Sequence, residues 1–196
     1  MNLAEMRART RQDLEDTDSA NYRWVDDEVD AAIERVVREF SLASPIDEQN
    51  DIATTDGSRQ IDISTLTKLL KVDSVEFPLD NIPPHYQHFE VWGSVVYMQQ
   101  KGDGDDARIR WHKQHTLDAT SSTIPQEFEE IIVLGATGYL ATSASVYTVD
   151  KASTGGPATT TNYLKWGQTR LEYYHARLKA IAVTNRILPR ELYTDD

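Results

Sequence analysis

The stretch IIVLGATGYLATSA, residues 131–144, constrains the chain most, because it admits two incompatible structures. An apolar strand followed by GATG and small residues is how a dinucleotide-binding loop begins. That fingerprint also needs a preceding strand, glycines at a strand-to-helix turn, and an acidic residue about 20 positions later on the next strand. The residues before GATG read TIPQEFEEII instead, a helix start. Thr123 is the expected N-cap, Pro125 suits a first turn, and Glu127, Glu129 and Glu130 favour the positive end of a helix dipole. Ala141 stands where the last glycine of the fingerprint would fall, and too little chain follows Gly138 to build a parallel sheet.

The alternative is one long helical rod over residues 125–149. Gly135, Gly138, Ala141 and Ala144 recur every third position, and small residues let a second helix approach closely enough to gain dispersion contacts. That gain offsets the roughly 1 kcal/mol that an interior helical glycine costs. The expected partner is a helix over 161–186, whose stripe of Leu164, Gly167, Leu171, Tyr174, Leu178 and Ile181 has near-heptad spacing. Gly135, Gly138, Ala141, Gly167, Leu171 and Tyr174 are therefore the candidate packing positions.

The rest of the chain alternates between two kinds of pattern. Residues 2–15 read as a short charged helix with Leu3, Met6 and Leu14 as sparse apolar contacts, and DTDSANYRW breaks it. A second helix follows, with Asp26 as expected N-cap and Val29, Ile33, Val36 and Phe40 on one face. It stops before Pro45, since the residue preceding a proline avoids helical geometry. From 46 the pattern becomes extended. IATTDGSRQIDIS predicts a hairpin about Asp56-Gly57, KVDSVEFPLD and HFEVWGSVVYMQQ predict strands, KGDGDD an exposed hairpin tip, and ARIRWHKQHT a further strand. Four to six antiparallel strands are expected. DKASTGGPATTT reads as a loop and LPRELYTDD as an extended tail.

The predicted fold is thus α+β: a four-helix bundle with an antiparallel sheet or sandwich inserted between the second and third helices. The expected division is 1–45 and 121–186 for the two halves of the bundle, 46–120 for the β insertion, and 187–196 for the C-terminal tail.

Composition narrows the chemistry. Of 196 residues, 39% are hydrophobic and 27% charged, enough for a packed core. No apolar run approaches the roughly 20 residues that cross a bilayer, and the first residues do not resemble a signal peptide. A soluble protein made in a cytoplasm is the expectation. The absence of cysteine removes thiolate nucleophiles, disulfides and cysteine zinc sites. A formal charge of −12 leaves no basic face to replace counterions on nucleic acid. It suits a surface that DNA slides past.

No catalytic constellation stands out. His112 and His115 in WHKQHT fall on opposite faces of a strand and read as surface polar residues, as do His85 and His88. KGDGDD has the acidic density of a calcium loop without its terminal glutamate. GxSxG and SxxK are both missing. Tyr163, Trp166, Tyr173 and Tyr174 read as one aromatic cluster, suited to core packing or a subunit contact. No cofactor and no metal is implied.

The segments MNLAEMRARTRQDL, NYRWVDDEVDAAIERVVREFS, VEFP, PPHYQHFEVWG, IPQEFEEIIVLGATGYLA and YLKWGQTRLEYYHARLKA, in that order, resemble the head–tail connector proteins of tailed bacteriophages, also called adaptor or head-completion proteins. The resemblance covers almost the whole chain, best in the helices and weakest in the sheet. It rests on pattern and order, because the family has no catalytic signature. It implies a non-enzymatic virion structural protein of the neck, assembled in the host cytoplasm as a ring, usually a dodecamer. Such a ring docks on the portal protein and presents a tail-side stopper or tail-completion protein with its surface. DNA passes through the lumen during ejection without specific binding, and no membrane is involved. The tail residues Leu188, Pro189, Leu192 and Tyr193 become candidate portal-docking anchors. Two other classes remain open at this point: a small nucleotide-cofactor-binding enzyme built on GATG, and a non-viral interaction module.

Overall fold

A computed structural model describes residues 1–147 and 157–185 of the chain. The expected tail, with Leu188, Pro189, Leu192 and Tyr193, lies outside the described residues, as do the last two residues of the predicted 125–149 rod. The described chain is α+β, with helices and two small antiparallel sheets in two compact units. Among the described residues, one unit holds Met1–Ser44 and those from His115 to Asn185; the other runs from Pro45 to Gln114.

In the helical unit, α1 (Leu3–Asp13) opens with a reciprocal cap between Asn2 and Glu5. Its sparse apolar positions are well used, since Met6 is fully buried and Leu14 nearly so. Helix α2 (Asp26–Ala43) buries Val29, Ile33, Val36 and Phe40 on one face. Each such side chain removed from water contributes roughly 1.5–3 kcal/mol. Asp26 is not its N-cap. Val25 holds that position, its N–H bonded to Glu28 at 3.0 Å, while the Asp26 carboxylate is drawn to Arg7 and Arg11.

A single 3-10 turn, Gln126–Phe128, leads into α3 (Glu129–Tyr147). Thr123 does not cap it either: its hydroxyl accepts the Thr116 N–H at 2.8 Å, tying the entering chain back on itself. Helix α4 spans Pro157–Asn185 and starts before the predicted 161. Pro157 fits a first helical position, where no N–H partner exists to lose.

In the β unit, one sheet has the order β1 (Ile46–Ala53), β6 (Asp106–Lys113), β3 (Leu69–Glu76). The other has the order β2 (Gln60–Asp62), β5 (Val95–Met98), β4 (Phe89–Trp92). Val72, Val75, Ala107, Ile109 and Trp111 from the first share one core with Ile61, Val96 and Met98 from the second. Irregular register between Leu69 and Lys71 and between Val72 and Ser74 lets Val72 and Val75, three apart, both face inward.

The hairpin expected at Asp56-Gly57 does not form. β1 pairs with β6 and β2 with β5, so this turn carries the chain from one sheet to the other. The Asp-Gly pair encoded the positive φ of Gly57, +70°, but could not encode a pairing partner. KGDGDD is likewise no hairpin tip, because β5 and β6 lie in different sheets. The two crossovers clasp each other, Gly57 N–H donating to Gly102 O at 2.9 Å and Gly102 N–H to Ser58 O at 2.7 Å. A Cβ at Gly102 would lie 2.6 Å from Thr54 Cβ, so only glycine permits that crossing. The one close-turned hairpin in this sheet is Trp92–Gly93–Ser94–Val95, with Gly93 at φ +59°.

Candidate functional site

Residues 131–134 lie inside α3, and GATG is helix interior rather than a strand-to-helix turn. Three close approaches run along the contact of α3 with α4. A Cβ on Gly135 would meet Val36 Cγ2 at 2.9 Å and the Tyr174 ring at 3.0 Å, and one on Gly138 would meet Leu171 at 2.9 Å. One on Gly167 would lie 2.9 Å from Ala141 Cβ. The structure thus pairs Gly135 with Tyr174, Gly138 with Leu171 and Ala141 with Gly167 along antiparallel helices. All six candidate packing residues meet in one seam.

Polar groups fasten the seam at its flanks. Arg170 on α4 pairs with Asp13 on α1 and donates from Nε to Thr137 Oγ1 on α3 at 3.0 Å. The Tyr139 hydroxyl donates between the two Glu39 oxygens, at 2.9 and 3.0 Å, and lies 3.4 Å from His175 Nε2. The Arg35 guanidinium covers the Tyr139 ring at 3.7 Å and pairs with Glu39 at 3.1 Å. Arg35, Glu39, Tyr139 and His175 form an acid–base group by residue type. Burial first, then Glu39, push the Tyr139 phenol above its ordinary value, so it serves as a fixed hydrogen-bond donor at neutral pH. Tyr174, pushed up by burial and then by the nearby Glu39 carboxylate, keeps its hydroxyl in the core. Lys165, Trp166, Thr169 and Arg170 line an open hollow of about 420 Å³ on α4. Trp166 there is stacked under the Arg170 guanidinium at 4.4 Å, which is already committed to Asp13.

The aromatic cluster expected on α4 is divided. Tyr163 packs with Trp24 and Trp166, Tyr174 with Tyr139 and His175, and Tyr173 is exposed. Helical periodicity puts adjacent Tyr173 and Tyr174 about 100° apart, so one faces the core and the other water.

The two histidines of WHKQHT behave differently. His112 is on the outer face of β6, its Nδ1 2.8 Å from Asp47. His115, expected at the surface, is only 4% exposed. Its Nε2 lies 2.8 Å from Ser44 O, its Nδ1 2.9 Å from Thr123 O and 3.2 Å from the Thr123 hydroxyl. Its own N–H donates to the Ser41 hydroxyl at 3.0 Å, and its ring stacks on Phe40 at 5.2 Å. These contacts bind the residues after β6 into the helical unit, which is why the division falls at Gln114. His85 Nδ1 is 3.0 Å from Phe77 O. No three or more His, Cys, Asp or Glu side chains among the described residues group to hold a metal ion.

Burial lowers the His115 pKa, against the raising effect of the two carbonyls. The unfolded chain then takes up a proton near pH 6.5 before the folded chain does. The stabilisation is complete above that pH and is lost as pH falls through the folded pKa. Melting temperature should drop on acidification from about pH 7 to pH 5, and His115→Gln should flatten that slope. An equally steep slope in the variant would assign the effect to other groups.

Outside the cores, the β unit presents two contrasting faces. On the first sheet, Arg108 lies between Asp51 at 2.9 Å and Glu76 at 3.8 Å, and Arg110 reaches Glu76 at 3.0 Å, so the charges are matched. On the second, Trp92 is 75% exposed and Tyr97 40% exposed. Neither residue stood out in the sequence. Their signal was alternation: in VVYM, burial of Val96 and Met98 forces Tyr97 outward, and register with Val95 places Trp92 beside it. The Arg170–Asp13 and Tyr139–Glu39 pairs were also missed, since nothing local marks partners on different helices.

No helix among the described residues is long and apolar enough to cross a membrane. No family model and no curated protein matches the chain.

Proposed function

We propose that the chain is a structural virion protein, a head-to-tail adaptor that assembles as a ring between portal and tail or stopper and forms part of the DNA conduit. The observation that carries this reading is the seam. The stretch with the sequence of a nucleotide loop is spent on helix packing, Gly135 against Tyr174 and Gly138 against Leu171, which favours scaffolding over chemistry. The order of elements also agrees with what the resemblance implies, two helices, a β insertion and two further helices. In this reading the helices pack as a four-helix bundle that forms the ring body, and the β unit meets the tail-side component. The charge of −12 lets DNA pass a carboxylate-lined lumen without being held.

Mixing the purified chain with portal rings of the same phage and imaging the product tests this. A second ring stacked on the portal is expected, twelve-fold in the family's usual form. Deleting residues 187–196, which carry Leu188, Pro189, Leu192 and Tyr193, should abolish docking and leave the melting curve unchanged. A chain that forms no ring, alone or on portal, overturns the proposal, and wild-type docking by the truncated chain removes the tail's role in it.

A further inference from the structure

The second sheet ends at β4, and beyond Gln87 no further strand lies beside β4 on its outer edge among the described residues. Antiparallel bonds between β4 and β5 fall on alternate pairs. Gln99 N–H donates to His88 O at 2.9 Å, so the bonded pairs continue at Glu90–Tyr97 and Trp92–Val95. The backbone N–H and C=O groups of Phe89 and Val91 therefore point away from β5, along an edge that, among the described residues, β3 covers only as far as Gln87, whose N–H donates to Val75 O at 2.8 Å. Beside that edge the outer face forms two rows across three strands, Gln60–Tyr97–Glu90 and Asp62–Val95–Trp92. Trp92, the most exposed aromatic of this face, borders the edge itself, and Val91 is 38% exposed.

Charge says what fits there. β2, β4 and β5 carry Asp62 and Glu90 and no Lys or Arg. A second copy would bring the same carboxylates against their own kind, in a chain of charge −12. We propose that β4 is a docking edge for an extended basic segment of a partner protein, one that alternates Lys or Arg with apolar residues. Added beside β4, it takes its backbone bonds from Phe89 and Val91. Its cationic side chains lie over Trp92 and against Glu90, and its apolar side chains lie against Val91 on the other face. This inference does not depend on the adaptor reading, and each can fail without the other.

Titrating the full chain with the capped peptide KVKVK, and with EVEVE as control, tests it by amide NMR. With KVKVK, saturable shifts centred on residues 89–92 and weakened by salt are expected. Val91→Pro removes an N–H that makes no bond to β5, so it should spare the sheet while weakening KVKVK at least about tenfold. Glu90→Lys, an exposed change, should do the same through charge and provides the test if the proline variant fails to fold. The proposal is overturned by equal binding of EVEVE, by no binding of KVKVK at millimolar peptide, by undiminished binding to folded Val91→Pro or Glu90→Lys, or by self-association of the chain through β4.

Discussion

Gly167→Ala is expected to destabilise the helical unit by about 1–3 kcal/mol, although the same change in an exposed helix interior gains about 1 kcal/mol. The new Cβ would sit 2.9 Å from Ala141 Cβ, 3.0 Å from Thr142 Cγ2 and 3.0 Å from Thr142 N. One of these neighbours is backbone and another is the first carbon of a side chain, so neither can rotate away. The helices must separate, and separation loosens every contact along the seam. Gly167→Val should exceed 3 kcal/mol by adding two methyl groups at the same point. At Gly135 the obstacle is Val36, whose β-branched side chain is stiff in α2, together with the Tyr174 ring. Gly138 is the mildest site, because Leu171 Cδ2 and Cγ, 2.9 Å away, belong to a side chain that can change rotamer, and the nearest backbone atom, Leu171 N, is 3.3 Å off against 3.0 Å for Thr142 N at Gly167. Denaturant midpoints of the three alanine variants should therefore rank Gly138 as least harmed. A rise in midpoint for Gly167→Ala would mean that α3 and α4 are not in close contact there.

That seam could be read from the sequence because both of its signals were local. Helix-start residues before Ile131 excluded a strand, and a three-residue recurrence of small side chains marked a face. The stripe on α2 was legible for the same reason. Strand partnership was not legible. Asp56-Gly57 specifies a bend, but the choice of β6 for β1 and β5 for β2 depends on residues about forty to sixty positions away. His115 shows the same limit in one residue. Continued alternation from Trp111 would place it on the core face, whereas the sequence-based expectation weighed only whether two histidines could share an ion. What buries it is Ser41, Ser44 and Phe40, all at the end of another element. Asp26 misled because an N-cap preference is a local statistic, and two arginines of α1 supply a stronger, non-local demand on its carboxylate.

Those arginines lead to the other large effect. Arg11→Met is expected to cost about 3–5 kcal/mol, because it leaves a carboxylate stranded in the core. The Arg11 and Asp16 side chains are only 5% and 7% exposed, with Nη1 2.6 Å from Oδ2. Arg11 Nη2 further donates to Trp24 O at 2.8 Å and Asp26 Oδ1 at 2.7 Å, and the guanidinium lies over Tyr22 at 3.6 Å. Asp16 also accepts the Arg23 N–H at 2.8 Å, so this one pair fixes the whole course of the loop from α1 to α2. Water cannot replace the missing guanidinium without opening that loop. Asp16→Asn should be milder, since an amide oxygen can still accept from Arg23 and the exposed Asp26 still balances Arg11. The double variant Arg11→Met/Asp16→Asn removes both buried charges and should recover at least about 1 kcal/mol relative to the sum of the single changes. Strict additivity would show that the two charges act independently and that the loop is held by its apolar contacts, Trp24 against Tyr163 above all.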